Sequence, residues 1–266
     1  MNKYPVIPEH IILATIDYKS QTDLLEAVDL DATWRVLEAW ETEKGEEGEE
    51  KRLFAFFNSG VFSGASQGHR HLQFLPVEEI KAQATEESDW KGIPASEWRP
   101  LIDVLGSAGP NVNLPFQCFH ASLEGEVTKE QLFHTYSSLY HKATEAVNRY
   151  RQQQGITSSV ASDGTPRAAS EVSYNLAMTT NRMAICPRWR EHLDIRASSN
   201  GESWKEGVVI GKVEVNGTLL AGTLTVKTEK EWNHLRRNED EKPLKQLLGA
   251  IGIPGATEER QAHEHL

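Results

Sequence analysis

The chain has 266 residues, 38% of them hydrophobic and 25% charged, and carries a formal net charge of −11. It is long enough to bury a substantial core in one large domain or two small ones. The acidic balance, with no basic stripe or aromatic-basic platform, argues against nucleic acid as a partner, and no stretch approaches the ~20 apolar residues of a membrane span.

Tyr4–Thr15 reads as a strand entered through a Pro-flanked turn, with β-branched Val6, Ile7, Ile11 and Ile12. His10 follows Pro8 and Glu9, as a surface-turn histidine or one near a site. No basic-then-apolar leader is visible here. Asp29–Thr42 spaces Leu30, Thr33, Trp34, Leu37 and Trp40 as a helix would, with Asp29 as its expected N-cap. Glu43–Glu50 is a Gly-broken acidic run expected to be a solvated loop. Strands follow at Lys51–Asn58 and His69–Leu75, closed by Pro76. Residues 77–113 read as irregular apart from a helix near Ala95–Leu105, and Leu114–His120 as a short strand.

Thr128 and Gln131 form a capping-box pattern ahead of a long amphipathic helix. Its stripe is Leu132, Tyr136, Leu139, Tyr140, Ala143, Val147 and Tyr150, expected as core. Gln152–Ser170 is a Ser/Gly/Gln linker. Val172–Met178 and Arg182–Pro187 read as a hairpin. Arg188, Arg190 and His192 make a small basic cluster, either a solvated loop or a phosphate clamp. Ser203–Lys227 is compatible with strand or helix. Thr228 and Glu231 cap a further helix, Pro243 starts the last one, and residues 255–266 read as a disordered tail.

The most informative stretch lies between the two central strands: Asn58-Ser-Gly-Val-Phe-Ser-Gly-Ala-Ser-Gln-Gly-His-Arg-His-Leu-Gln73. In an extended segment His69, His71 and Gln73 share one face, while Arg70, Leu72 and Phe74 share the other, with Leu72 and Phe74 aimed at a core. Gly60, Gly64 and Gly68 permit positive φ and uncovered N–H groups, a nest for an anion that Ser63, Ser66 and Gln67 can extend. A polyphosphate fits it, and a neutral imidazole beside it is able to attack phosphorus. His-x-His is also a zinc-ligand pattern, which His10 or His120 could complete; this zinc-hydrolase reading leaves the Gly/Ser loop without a purpose.

Gly64-Ala-Ser-Gln-x-His-x-His-x-Gln73 resembles the signature of the fungal diadenosine tetraphosphate phosphorylases, also called ATP adenylyltransferases. These form the branch of the histidine-triad superfamily in which glutamine replaces the third histidine. Asn2–His10, Ser173–Thr179 and Cys186–Arg188 are similar to the family too. The resemblance implies an α+β fold, with a histidine-triad-like antiparallel sheet covered by helices and a C-terminal α+β extension. It divides the chain at residues 1–108 (catalytic part), 109–254 (C-terminal part) and 255–266 (tail).

It further implies a nucleotidyltransferase in which His71 is the nucleophile, with His69 and Gln73 as its catalytic companions. Asn58, Gly64, Ala65, Ser66, Gln67, His10, Asn175 and Arg188 are the expected substrate-binding residues. No protein-held metal is implied; Mg²⁺ bound with the polyphosphate is plausible on charge grounds. The expected partners are diadenosine polyphosphates, ATP, ADP and phosphate, with no membrane and an unspecified oligomeric state. Cys118 and Cys186, without Cys-x-x-Cys spacing, suit a reduced compartment: the cytoplasm, with the nucleus also open. Because the Asn-Lys-x-Pro-Val segment starts at residue 2, the family's N-terminal region is expected to be missing. The alternative is therefore a truncated paralogue that binds nucleotides without turnover.

Overall fold

A computed structural model describes residues 7–42, 51–86, 98–106, 114–156, 172–197, 208–236 and 243–255. The acidic run at 43–50 and the tail at 256–266 lie outside them, as do most of the linker and residues 95–97 of the helix expected near Ala95–Leu105; within the described part of that stretch only Leu101–Val104 is helical.

The centre is a six-stranded antiparallel sheet in the order β1-β3-β2-β5-β6-β4. Its strands are β1 (Ile11–Ala14), β2 (Leu53–Ser59), β3 (His71–Pro76), β4 (Phe119–Ser122), β5 (Tyr174–Met178) and β6 (Arg182–Pro187). β2 is buried along its whole length, because both faces of the sheet are covered. That explains its unbroken apolar run, Leu-Phe-Ala-Phe-Phe, where a half-exposed strand would alternate.

One face packs Ala55, Phe57, Leu72, Phe74, Leu176 and Ile185 against α1 (Ala27–Thr42) and α4 (Lys129–Gln153). Leu72 and Phe74 point into this core, as their alternation predicts. Burying each such side chain contributes ~1.5–3 kcal/mol. Thr128 caps α4 through the full capping box, its hydroxyl accepting from Gln131 N while Gln131 returns its carboxamide. Asp29 is not the N-cap of α1, which starts two residues earlier. Its carboxylate instead reaches back to Glu26 N–H at 2.8 Å and accepts from Arg70 at 2.8 Å, satisfying the helix start from inside the first turn.

The other face packs Phe54, Phe56, Ala177 and Cys186 against the C-terminal elements. These are the hairpin β7 (His192–Ala197) and β8 (Val208–Glu214), a 3₁₀ turn at Gly217–Ala221, α5 (Glu229–Leu235) and α6 (Pro243–Ile251). Two local expectations are corrected. Residues 77–86 are not irregular but form α2 (Val77–Glu86), whose buried apolar positions, Val77 and Ile80, are too few to show a period. His192, expected in a basic cluster that reads as a solvated loop or a phosphate clamp, instead opens β7, where Leu193 and Ile195 turn inward between polar neighbours. A short helix α3 (Leu101–Val104) completes this layer. Among the described residues no helix is long and apolar enough to cross a membrane.

Candidate active site

His71 opens β3 opposite Ala14 of β1, and Gln73 sits between Ile12 of β1 and Phe56 of β2. The His71 ring places Nδ1 2.8 Å from the carbonyl oxygen of His69. A carbonyl only accepts, so Nδ1 carries the proton and Nε2 keeps its lone pair. At 9% exposure the ring is largely desolvated but still reachable.

The His69 ring does something different. Its Nε2 lies 3.0 Å from Thr15 Oγ1 and 3.3 Å from Asp17 O, and Tyr18 covers it with a centroid separation of 5.5 Å. Of the two histidines, His69 contributes to His71 through its backbone carbonyl. The two imidazoles are engaged with different partners, His69 Nε2 with Thr15 and Asp17 and His71 Nδ1 with the His69 carbonyl. Among the described residues no group of three His, Cys, Asp or Glu is placed to hold a metal, so the zinc reading has no geometric support.

His10 and Gln73 complete the immediate surroundings. His10 is buried at 9% exposure, hydrogen-bonds to Gln73 and lies within electrostatic reach of His71. Burial is the largest cause holding its pKa below the usual histidine value; the Gln73 bond works in the opposite sense, and His71 adds to the lowering. The imidazole is thus kept neutral beside the nucleophile. Between the depressed folded pKa and ~6.5 the unfolded chain binds more protons, so stability falls as pH drops through this window. His120, at the far edge of the sheet on β4, is shifted in the same direction by burial. Thermal melts between pH 5 and 7.5 should therefore show a steeper acid-side loss of Tm in wild type than in His10→Asn. Parallel curves would refute the assignment.

The loop after β2 is a tight turn pinned to the C-terminal half. Ser63 donates from both N and Oγ to Gly60 O, and Phe62 N donates to Ser173 Oγ at 3.1 Å. Gly60 has φ +88°, and a Cβ there would lie 2.4 Å from Ser173 Oγ. Gly64 has φ +75° and would meet Asn216 and Val215 at 2.9 Å. Only glycine fits both places. Gly68, expected to share this geometry, is not among the positive-φ glycines. Ser66 and Gln67 are exposed, with Gly64 and Ala65 partly so, and these four line the open side of the loop.

Asn58, Asn175 and Arg188 sit behind the loop. Asn175 is 0% exposed; its Nδ2 donates to Asn58 Oδ1 and Ser63 O, both at 2.8 Å, and its Oδ1 accepts from Arg188 at 2.6 Å. Asn58 Oδ1 also accepts from Gly217 N at 2.8 Å. Arg188, expected as a phosphate clamp, is 2% exposed. Its guanidinium donates to Asn175 Oδ1 and to the carbonyls of Val215, Arg190, Glu191 and Ile251. Burial pushes its pKa down to about 10, which leaves it charged at neutral pH. With all five N–H groups engaged, it ties the C-terminal segments to the loop instead of facing a substrate.

Sequence reasoning missed Gln21. This side chain is 2% exposed and bonds to the backbone of both Asn58 and His71. Nothing in the unpatterned stretch Ile16–Leu25 announces it.

A tautomerically fixed imidazole at a strand end, beside a glycine-serine loop, is an arrangement chemically able to attack phosphorus. The model of the Ap4A phosphorylase N-terminal domain matches residues 1–87, and that of the ATP adenylyltransferase C-terminal domain matches residues 112–254. The chain belongs to the Ap4A phosphorylase/ATP adenylyltransferase family of nucleotidyltransferases. Protein APA1 of Saccharomyces cerevisiae is 44% identical over 263 residues, covering 97% of this chain and 69% of that protein. Diadenosine 5',5'''-P1,P4-tetraphosphate phosphorylase 2 of the same yeast is 25% identical over 272 residues, covering 100% and 72%. The crystal structure of yeast Ap4A phosphorylase Apa2 in complex with Ap4A superposes with a TM-score of 0.62 at 22% identity, over 96% of this chain and 72% of that one. The match over residues 1–87 shows the family's N-terminal domain in this chain, against the expectation that this region is missing; the chain spans 69% and 72% of the length of the two yeast relatives.

Proposed function

We propose that the chain phosphorolyses diadenosine tetraphosphate to ATP and ADP through an AMP–His71 intermediate, and runs the reverse adenylyl transfer. The observation that carries this reading is the His71 Nδ1–His69 carbonyl bond, which frees Nε2 for attack. Nε2 forms a bond to the α-phosphorus as the Pα–O bond to the β-phosphate breaks, and ATP leaves. The ring gains positive charge in this step, and the His69 carbonyl bond strengthens as it does. Inorganic phosphate then attacks the same phosphorus, ADP departs, and neutral His71 returns. Gln73 offers an amide donor to the departing oxygen but no titrating proton, which suits a leaving group as good as ATP. Ser66, Gln67 and the loop N–H groups receive the phosphates, while Asn58, Asn175 and Arg188 hold that loop in shape.

Incubation with diadenosine tetraphosphate and ³²P-phosphate, followed by anion-exchange separation, tests the reading. Label appearing in ADP alongside unlabelled ATP is the expected result. Phosphate-independent release of AMP would replace it with a hydrolase.

Mg²⁺ enters this reading as part of the polyphosphate substrate, neutralising its charge. Chelation should slow turnover about tenfold or more and added Mg²⁺ should restore it. Full activity in excess chelator would remove the ion from the scheme. Neutral thiols and a reduced compartment accord with a cytoplasmic protein acting on free nucleotides.

A further inference from the structure

We propose that Gln21 is a positioning residue for His71, an inference that rests on the reading of His71 as nucleophile. The β2–β3 ladder pairs Leu53 with Pro76 through to Phe56 with Gln73. Continuing that register by two residues on each strand sets Asn58 opposite His71, yet the named pairs stop short of them. The carboxamide of Gln21 stands there instead. Its Oε1 accepts from His71 N at 2.8 Å, and its Nε2 donates to Asn58 O at 2.8 Å and to His71 O at 3.2 Å.

A single amide therefore takes the bonds that two strands would otherwise make with each other. Gln21 is itself anchored to the downstream end of the loop, with its N–H donating to Gly68 O at 2.9 Å and Ser20 bridging to His69. The wedge spaces β2 from β3 where the Gly/Ser loop departs, and it grips the peptide groups on both sides of the His71 Cα. At 2% exposure no bulk water is there to take over these bonds. Glutamine is needed because the place calls for one acceptor and two donors in a plane. Leucine supplies neither, and glutamate retains the acceptor while losing the paired donors.

Gln21→Leu and Gln21→Glu, made in the full chain, test this by two independent readouts. In Gln21→Leu, amide exchange at His71 should accelerate at least ~100-fold while the β2–β5 amides keep their protection. Its kcat should fall ~30- to 100-fold with KM held within ~3-fold, the mark of a displaced nucleophile over an intact binding loop. Gln21→Glu should lie between the two and carries the test if the leucine variant does not fold. An unchanged His71 amide with kcat within ~2-fold of wild type overturns the proposal. So does a kcat loss that merely follows a global loss of protection. Absence of an AMP adduct in wild type would defeat the functional reading alone, since exchange at His71 still decides whether Gln21 holds the strand.

Discussion

His71→Ala should lose the AMP adduct completely and reduce phosphorolysis by about 10⁶-fold, the scale seen when a covalent nucleophile is removed. Intact-protein mass spectrometry after brief exposure to ATP or diadenosine tetraphosphate reads the first effect directly. The protein should stay folded, because among the described residues the ring makes one hydrogen bond, to a backbone carbonyl two residues away, and is not part of either large core cluster. Nucleotide binding should persist as well, since the Gly60–Gly64 turn is held by Ser63, Ser173 and Asn175 without help from the imidazole. An adduct of wild-type yield in His71→Ala would move the nucleophile elsewhere. His69→Ala should be much milder: its ring leaves Thr15 and Tyr18, but the carbonyl that orients His71 remains.

Arg188→Ala should cost about 3–5 kcal/mol of stability, since it strands several buried oxygen acceptors at once. For a chain of this size that corresponds to a Tm lower by roughly 10–15 °C. Arg188→Lys should rescue little, because one ammonium cannot span acceptors contributed by Asn175, Val215, Arg190, Glu191 and Ile251. Below the lowered melting temperature, KM for nucleotide should stay within ~3-fold. This outcome separates a structural tie from a phosphate clamp, whose loss would raise KM sharply and leave Tm almost unchanged. Differential scanning calorimetry beside steady-state kinetics distinguishes them.

The parts of the fold legible in the sequence are those written in local periodicity. The alternation across His69–Phe74 separates the site face from the core face, and the structure places Leu72 and Phe74 in the core accordingly. The capping boxes at Thr128 and Thr228 and the β5–β6 hairpin are likewise where their residues indicate. Ser203–Lys227, compatible in sequence with strand or helix, holds both the strand β8 and the 3₁₀ turn at Gly217–Ala221. What local pattern cannot carry is direction over long separations. Arg188 reads as a surface cation in sequence and is a buried one in the fold, because its acceptors come from four separate places in the chain. Gln21 lies 50 residues from the strand whose backbone it holds, so no window of sequence contains both halves of that interaction. Two-residue stripes such as Val77 and Ile80, or Leu193 and Ile195, fall below what a periodicity can register.

The seam between the two family segments has a consequence of its own. β1, β3 and β2 come from the segment matched over residues 1–87, and β5, β6 and β4 from the one matched over residues 112–254. They meet in the middle of one sheet, where Ala55 through Ser59 pair in register with Met178 through Tyr174. Each half alone would present a long, apolar, unpaired strand edge, the surface most prone to sticking to other chains. The unit that heredity passes on and the unit that folds are therefore different in size here. A gene split between the two segments would yield a pair of fragments that need each other, joined across the same five residues that bring the loop to its anchor.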